Sequence, residues 1–267
     1  MAATDAVLPD LAAEGDELDQ LVASIEPDRW RTETPSPGWT IAHQIGHLAA
    51  SDRFTALAVT DPEAFAVRLS GLSGDLSEIN DAVAADAAVL APEDLLIEWR
   101  AARAEALAAL SSVPVVERVQ WIVTPMSPAS LASTRLMELV GHGQDIRDAL
   151  DVTWVPTDRI LHVARIGART RNFAYRIRGI APPPQDFRIE LVAPSGELWT
   201  FGPPEAPQRV SGSAADFCLL VTRRRHRADL DLRALGDDAE QWLDFAQAYA
   251  GPPSAGRAAG QFRAAGR

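Results

Sequence analysis

The stretch Arg135–Leu136–Met137–Glu138–Leu139–Val140–Gly141–His142–Gly143–Gln144–Asp145–Ile146 decides how this chain is read. Glu138, His142 and Asp145 stand at i, i+4 and i+7, with Arg135 one turn earlier. A helix over Leu131–Leu150 therefore puts them on one face. His43 and His47 form a second i, i+4 pair on another expected helix, so three of the five histidines fall in two short windows. Two facing helices that offer His, Glu and His can hold a divalent metal and leave coordination positions open. By itself the E-x-x-x-H spacing is common in helical proteins, and an ordinary helix face is the competing reading.

Outward from these windows the first two-thirds of the chain reads as helices. Pro9 suits the first turn of an opening helix that runs to about Ile25, with Leu11, Leu18, Leu21 and Val22 at helical spacing. Thr34–Pro35–Ser36–Pro37–Gly38 is a turn, and Thr40 is the expected N-cap of a helix through Ile41, Ile45, Leu48 and Phe54. Further helices are expected over about Asp75–Leu90, Pro92–Leu110, Ala129–Leu150 and Thr157–Ile177. An irregular, apolar connection around Trp121–Met126 precedes the Glu138 helix. Long amphipathic helices with longish connections specify a helix bundle.

The texture changes at Pro182–Pro183–Pro184, which cannot sit in a helix and reads as a stiff linker. Phe187–Val192 alternates like a strand, Pro194–Ser195–Gly196 is a turn, and Glu197–Phe201 is a second strand. Gln208–Val210 is a third, followed by helices over about Ser213–Arg223 and Ala239–Tyr249. The fold class is mainly α: a helical bundle over residues 1–180, a small α+β domain over 185–250, and a flexible Gly/Ala/Pro/Arg-rich tail over 251–267.

Composition narrows the function. A net charge of −12 disfavours nucleic acid and anionic membranes as partners. No window has the ~18 uninterrupted apolar residues of a membrane span. The acidic N-terminus lacks the basic and apolar regions of a signal peptide. A soluble, cytoplasmic protein acting on a small molecule is the expectation. All 25 Lys+Arg residues are arginine, which excludes lysine Schiff-base chemistry and a Walker-type phosphate loop. Cys218 is the single cysteine, so neither an internal disulfide nor a multi-cysteine zinc site exists. It lies in the apolar run Phe217–Val221 and reads as a buried helix residue. No G-x-S-x-G or H-E-x-x-H occurs, and Val210–Ser213 reads as a turn and helix cap.

Two segments carry a resemblance. Pro37–Gly38–Trp39–Thr40–Ile41–Ala42–His43–Gln44–Ile45–Gly46–His47–Leu48 resembles the Gly-Trp…His-Leu segment of the DinB-like metalloenzyme superfamily. Arg135–Ile146 resembles its Glu-x-x-x-His-Gly-x-Asp helix, and is closest to the branch containing mycothiol-dependent maleylpyruvate isomerase. The resemblance implies a helical bundle followed by a small domain similar to sterol-carrier-protein folds. It implies His47, Glu138 and His142 as ligands to a divalent metal, zinc first among candidates. It also implies a mycothiol-like thiol as cosubstrate, with isomerisation or S-transfer on a small electrophilic anionic substrate. A metal-dependent hydrolase and a non-catalytic metal or small-ligand binding protein are the alternatives.

The remaining polar residues are weighed singly. Arg135 fits a holder of a substrate carboxylate or a salt bridge. Asp145 fits a partner to the second N–H of His142, or a carboxylate paired with Arg147 or Arg171. His43 reads as a helix-surface or supporting residue. Arg223, Arg224 and Arg225 are expected either near the active site, as an arginine of the isomerase's second domain is, or in a solvated basic turn. His162 and His226 have no partner pattern.

Overall fold

The computed structural model describes residues 3–72 and 76–262. Its described residues form two compact units, Met1–Trp154 and Val155–Arg267. The chain is mainly helical with one small sheet near its C-terminal end, as its sequence implied.

In the first unit, α1 spans Ala3–Ala23, α2 Ile41–Thr60, α3 Pro62–Gly71, α4 Leu76–Ala88, α5 Pro92–Ser112 and α6 Pro128–Leu150. Pro9 lies inside α1 rather than opening it. The apolar stripe explains this, because Val7, two residues upstream, is buried along with Leu11, Leu18 and Val22. The helix is carried past the missing N–H by packing against α6 and α5. Asp75, expected to open α4, lies outside the described residues. The helix α3 was not expected; Asp61 caps it by accepting from the Ala64 N–H at 2.9 Å, and Pro62 opens it.

Helix α2 is the centre of this unit and packs against α5, α4 and α6. Ile41, Ile45, Leu48 and Ala49 meet a core that includes Leu95, Trp99, Leu131, Leu136 and Val140, all nearly solvent-free. Each such leucine or isoleucine contributes about 1.5–3 kcal/mol. Gly46 lets α4 approach closely: a Cβ there would stand 2.6 Å from Cβ of Ala87. Arginine pairs join helix to helix, Arg100 with Asp19, Arg103 with Asp16 and the buried Arg147 with Glu17.

In the second unit, α7 spans Leu161–Arg169 and α8 Arg171–Arg176, broken at Thr170 where one continuous helix was expected. Strands β1 Phe187–Val192, β2 Leu198–Phe201, β3 Gln208–Ser213 and β4 Leu232–Leu235 form a sheet of order β2-β1-β3-β4. The pair β1/β3 is parallel, while β1/β2 and β3/β4 are antiparallel. Helices α9 Ala214–Val221 and α10 Asp237–Phe245 pack on the sheet around Phe187, Val210, Phe217 and Trp242. Val210–Ser213 is strand rather than turn, with Ser213 capping α9 by accepting from the Asp216 N–H at 3.0 Å. The fourth strand is short and flanked by charge, which hid its period-2 signal.

The boundary between units falls at Trp154/Val155, upstream of the triple proline, because α7 packs on α9 through Val163, Ala164 and Gly167. Residues 251–262 form no helix or strand, yet Arg178 donates to Ser254 O, and Gln247 bonds Pro252 O and the Ser254 N–H.

Candidate metal centre

Two local signals in α6 set the ligand face. Ser127 caps it, accepting from the Ser130 N–H at 3.2 Å, and Pro128 occupies the first turn. The helical register then places Glu138 and His142 one turn apart. Across from them α2 presents His47. Ligand atoms of His47, Glu138 and His142 all lie within 4.8 Å of one another. His47 Nε2 stands 3.3 Å and His142 Nε2 3.2 Å from the same oxygen, Glu138 Oε2. Their imidazole centroids are 4.5 Å apart. The cluster is tight and largely buried, with the side chains of Glu138 and His142 19% and 12% exposed.

Two neutral imidazole nitrogens and a carboxylate oxygen are the donor set of an open divalent-metal site. The electrostatics agree. Burial pushes the Glu138 carboxyl up, but hydrogen bonds with His142 and His47 and the nearby Arg135 charge outweigh it. The group is held well below the usual carboxylate range, so it stays ionised.

The turn before α2 roofs the cluster. Ser36–Pro37–Gly38–Trp39 is a β-turn closed by Trp39 N–H to Ser36 C=O at 3.0 Å, with Pro37 first and Gly38 second of the central pair. Gly38 has φ 78°, a left-handed conformation that favours glycine at this turn position. The turn delivers the Trp39 indole onto both imidazoles, with centroids 5.8 Å from His142 and 5.4 Å from His47. The indole N–H donates to Asp81 on α4 at 2.8 Å. Ser36 Oγ donates to Asp145 Oδ2 at 2.9 Å, fastening the turn to α6.

Nδ1 of His142 meets Oε1 of the buried Gln44. Gln44 Nε2 in turn donates to Thr34 Oγ1 at 2.8 Å, and that hydroxyl donates to the Trp39 carbonyl at 2.7 Å. Gln44, Thr34, Ser36 and Trp39 were therefore missed as supports. The available signal was Gln44 itself, a polar residue between the buried Ile41 and Ile45 in a helix that had to be buried.

His43 stays out of the cluster. Its Nδ1 accepts from the Thr40 N–H at 3.3 Å and lies 2.8 Å from Thr40 Oγ1, closing a capping box in which histidine replaces the usual Glu or Gln. Burial lowers its pKa, partly offset by Asp81.

Arg135 is 6% exposed, its Cζ 5.6 Å above the Trp121 ring, which packs on Phe54 and Phe65. Its Nε has no hydrogen-bond partner among the described residues. Beside it Asp52, on α2, is buried; loss of solvation pushes its pKa up to about 6, with Arg135, Arg103 and His47 opposing.

In the second unit Arg223 donates to Asp244 O at 3.0 Å and Ala255 O at 2.7 Å, and Arg224 to Thr222 O at 2.7 Å. Arg225 lies 4.0 Å over the Phe262 ring. These arginines are neither a solvated basic turn nor a free anion clamp. His226 accepts from the Ala228 N–H at 3.0 Å, and His162 is buried in α7. Cys218 is buried, and desolvation raises its thiol pKa far out of the nucleophilic range.

A helical bundle presenting His, Glu and His from two helices, followed by a small α+β unit, fits the DinB-like class. Residues 11–147 match the family described as mycothiol maleylpyruvate isomerase N-terminal domain, and the chain belongs to that family. Residues 183–234 match a second family, described as wyosine base formation. Two Mycobacterium tuberculosis proteins, from strains CDC 1551 / Oshkosh and ATCC 25618 / H37Rv, are each 46% identical over 257 residues. The match covers 96% of this chain and all of theirs, and both are described as uncharacterized. The crystal structure of a mycothiol-dependent maleylpyruvate isomerase has a TM-score of 0.53 at 17% identity, and that of its histidine-to-alanine mutant 0.54 at 15%. Both comparisons cover 81% of this chain and 88% of the other, and they establish the shared fold.

Proposed function

We propose that this chain is a divalent-metal-dependent enzyme that uses a low-molecular-weight thiol of the mycothiol type. It acts on a small electrophilic, anionic substrate by isomerisation or S-transfer. The observation that carries this reading is the convergence of His47, Glu138 and His142, whose ligand atoms all lie within 4.8 Å of one another. These three residues hold the metal, zinc first among candidates. When bound, a divalent ion lowers the pKa of a coordinated thiol so that thiolate forms near neutral pH.

The other residues bind and orient. Arg135 supplies the positive charge for a substrate carboxylate; its buried Nε without a partner supports this role. Asp145 acts through the turn it fastens by way of Ser36, keeping Trp39 over the imidazoles. Cys218, buried and far from nucleophilic, takes no part. The acidic net charge favours a small-molecule partner over nucleic acid. Among the described residues no helix is long and apolar enough to cross a membrane, and we place the activity in the cytoplasm.

Elemental analysis of the purified chain beside a His47→Ala/His142→Ala variant tests the centre, and an electrophile screen with and without added thiol tests the chemistry. About one metal per chain, lost in the folded variant, with turnover only when thiol is supplied, is the expected result. Turnover without thiol would make the chain a hydrolase that activates water. No metal after incubation with zinc, nickel and manganese would leave a binding module.

A further inference from the structure

We infer that Ser51 is a further binding residue of the cluster: its hydroxyl donates a hydrogen bond to the anionic ligand that completes the coordination of the ion. This rests on the metal reading above and deepens it. Inside a helix, a serine or threonine hydroxyl either faces solvent or turns back on the carbonyl about one turn earlier. The helices that build the cluster follow that habit. Thr55 donates to Ser51 O at 2.9 Å, Thr60 to Ala56 O at 3.0 Å, and Ser133 and Thr134 to Ala129 O and Leu131 O, both at 2.7 Å. Ser51, in the middle of α2 and half-buried, does neither. Its Oγ lies 3.5 Å from Nε2 of His47.

That contact leaves the hydroxyl proton uncommitted. Nε2 of His47 has a nearer partner in Glu138 Oε2, at 3.3 Å, and 3.5 Å is beyond the usual span of a hydroxyl bond. Among the described residues no other acceptor takes the Ser51 proton. Ser51 follows His47 by four residues, so the two side chains leave α2 on one face, the face that carries His47 to Glu138 and His142. A divalent ion takes an imidazole nitrogen at about 2.0–2.1 Å. A ligand that shares such an ion with His47 Nε2 therefore comes within reach of a donor this close to the same nitrogen. A hydroxyl suits the place, because it donates to a sulfur or an oxygen anion without bringing charge of its own.

Co²⁺ added to the full chain and followed by its absorption spectrum reads the site without turnover. In Ser51→Ala, Co²⁺ binding is expected to match the parent. There 2-mercaptoethanol, followed by its sulfur-to-cobalt charge-transfer band, should bind about tenfold more weakly, the loss of one hydrogen bond to a charged acceptor. In Ser51→Cys the same band is expected with no added thiol, because the new sulfur reaches the ion itself. Cys218 is buried, and the parent chain controls for it. Co²⁺ held by a folded Ser51→Cys chain without such a band, or an unaltered thiol affinity in Ser51→Ala, overturns the inference. Loss of Co²⁺ itself from Ser51→Ala also overturns it, by making the hydroxyl a direct ligand. If Ser51→Cys fails to fold by circular dichroism, the thiol titration of Ser51→Ala decides. A parent that holds Co²⁺ but shows no thiol band defeats the thiol reading alone, and Ser51→Cys then decides this one. A parent that takes no Co²⁺ defeats the metal reading, and this inference falls with it.

Discussion

The two units share arginine–carboxylate pairs, but the second also spends its arginines on backbone carbonyls. In the bundle, Arg100, Arg103 and Arg147 reach carboxylates on α1, and Arg53 reaches Glu98. In the α+β unit arginine also pairs with carboxylates, Arg188 with Glu190 and Arg227 with Glu240 and Asp244, but Arg171, Arg178, Arg188 and Arg223 add bonds to backbone carbonyls, those of Gln185, Ser254, Gly202 and Asp244. The cause is the backbone. A helix satisfies its own C=O groups, so its arginines are left to tie one helix to the next by charge. A small sheet joined by loops leaves carbonyls in need of donors, and a guanidinium offers five. Arg135, by contrast, is buried in the bundle near Glu138, with its guanidinium over the Trp121 ring.

The sharpest way to break the comparison is to ask whether ligand residues and scaffold residues separate. Replacing His47 and His142 with alanine should abolish metal binding while circular dichroism and melting stay close to the parent; unfolding instead would make the cluster part of the scaffold. Next in size is Arg223→Ala. It strips the carbonyls of Asp244 and Ala255 of their donor and should cost about 2–4 kcal/mol in urea unfolding, with metal affinity unchanged.

Asp52→Asn tests the buried charges of the bundle. The Asp52 carboxyl is raised from 3.8 to about 6, so the folded chain holds that proton more tightly than the unfolded one. Stability therefore falls as pH rises between those two values, and the ionised group costs about 3 kcal/mol near neutrality. The asparagine variant should be the more stable above pH 6, with the gap closing in acid. A less stable variant at pH 7 would show that Asp52 is needed as counter-charge to Arg135. The smallest effect is expected for Arg100→Ala at the exposed rim, under ~1 kcal/mol and shrinking further in salt.

The sequence carried the helices well where period and punctuation agreed. Proline opens α5 and α6, and the i, i+4 spacing correctly anticipated that Glu138 and His142 share a face. His47 could be matched to them only through resemblance, since nothing in local spacing says which helix lies opposite. His43 shows the limit: its spacing to His47 is as good as that of Glu138 to His142, yet a capping box claims it. Gln44 and Thr34 were invisible for the complementary reason. Their roles depend on a turn folding back over the helix start, a tertiary event with no periodic signature. Arg223 was read for its charge, whereas its contacts are set by where two loops end.

Trp39, held between Asp81 and the two imidazoles, has a practical consequence. It is one of seven tryptophans, and an ion seated among His47, Glu138 and His142 would lie within a few ångströms of its ring. A paramagnetic ion there would drain the excited state of that indole, so the protein carries its own optical gauge of occupancy. Phenylalanine at position 39 would silence the gauge.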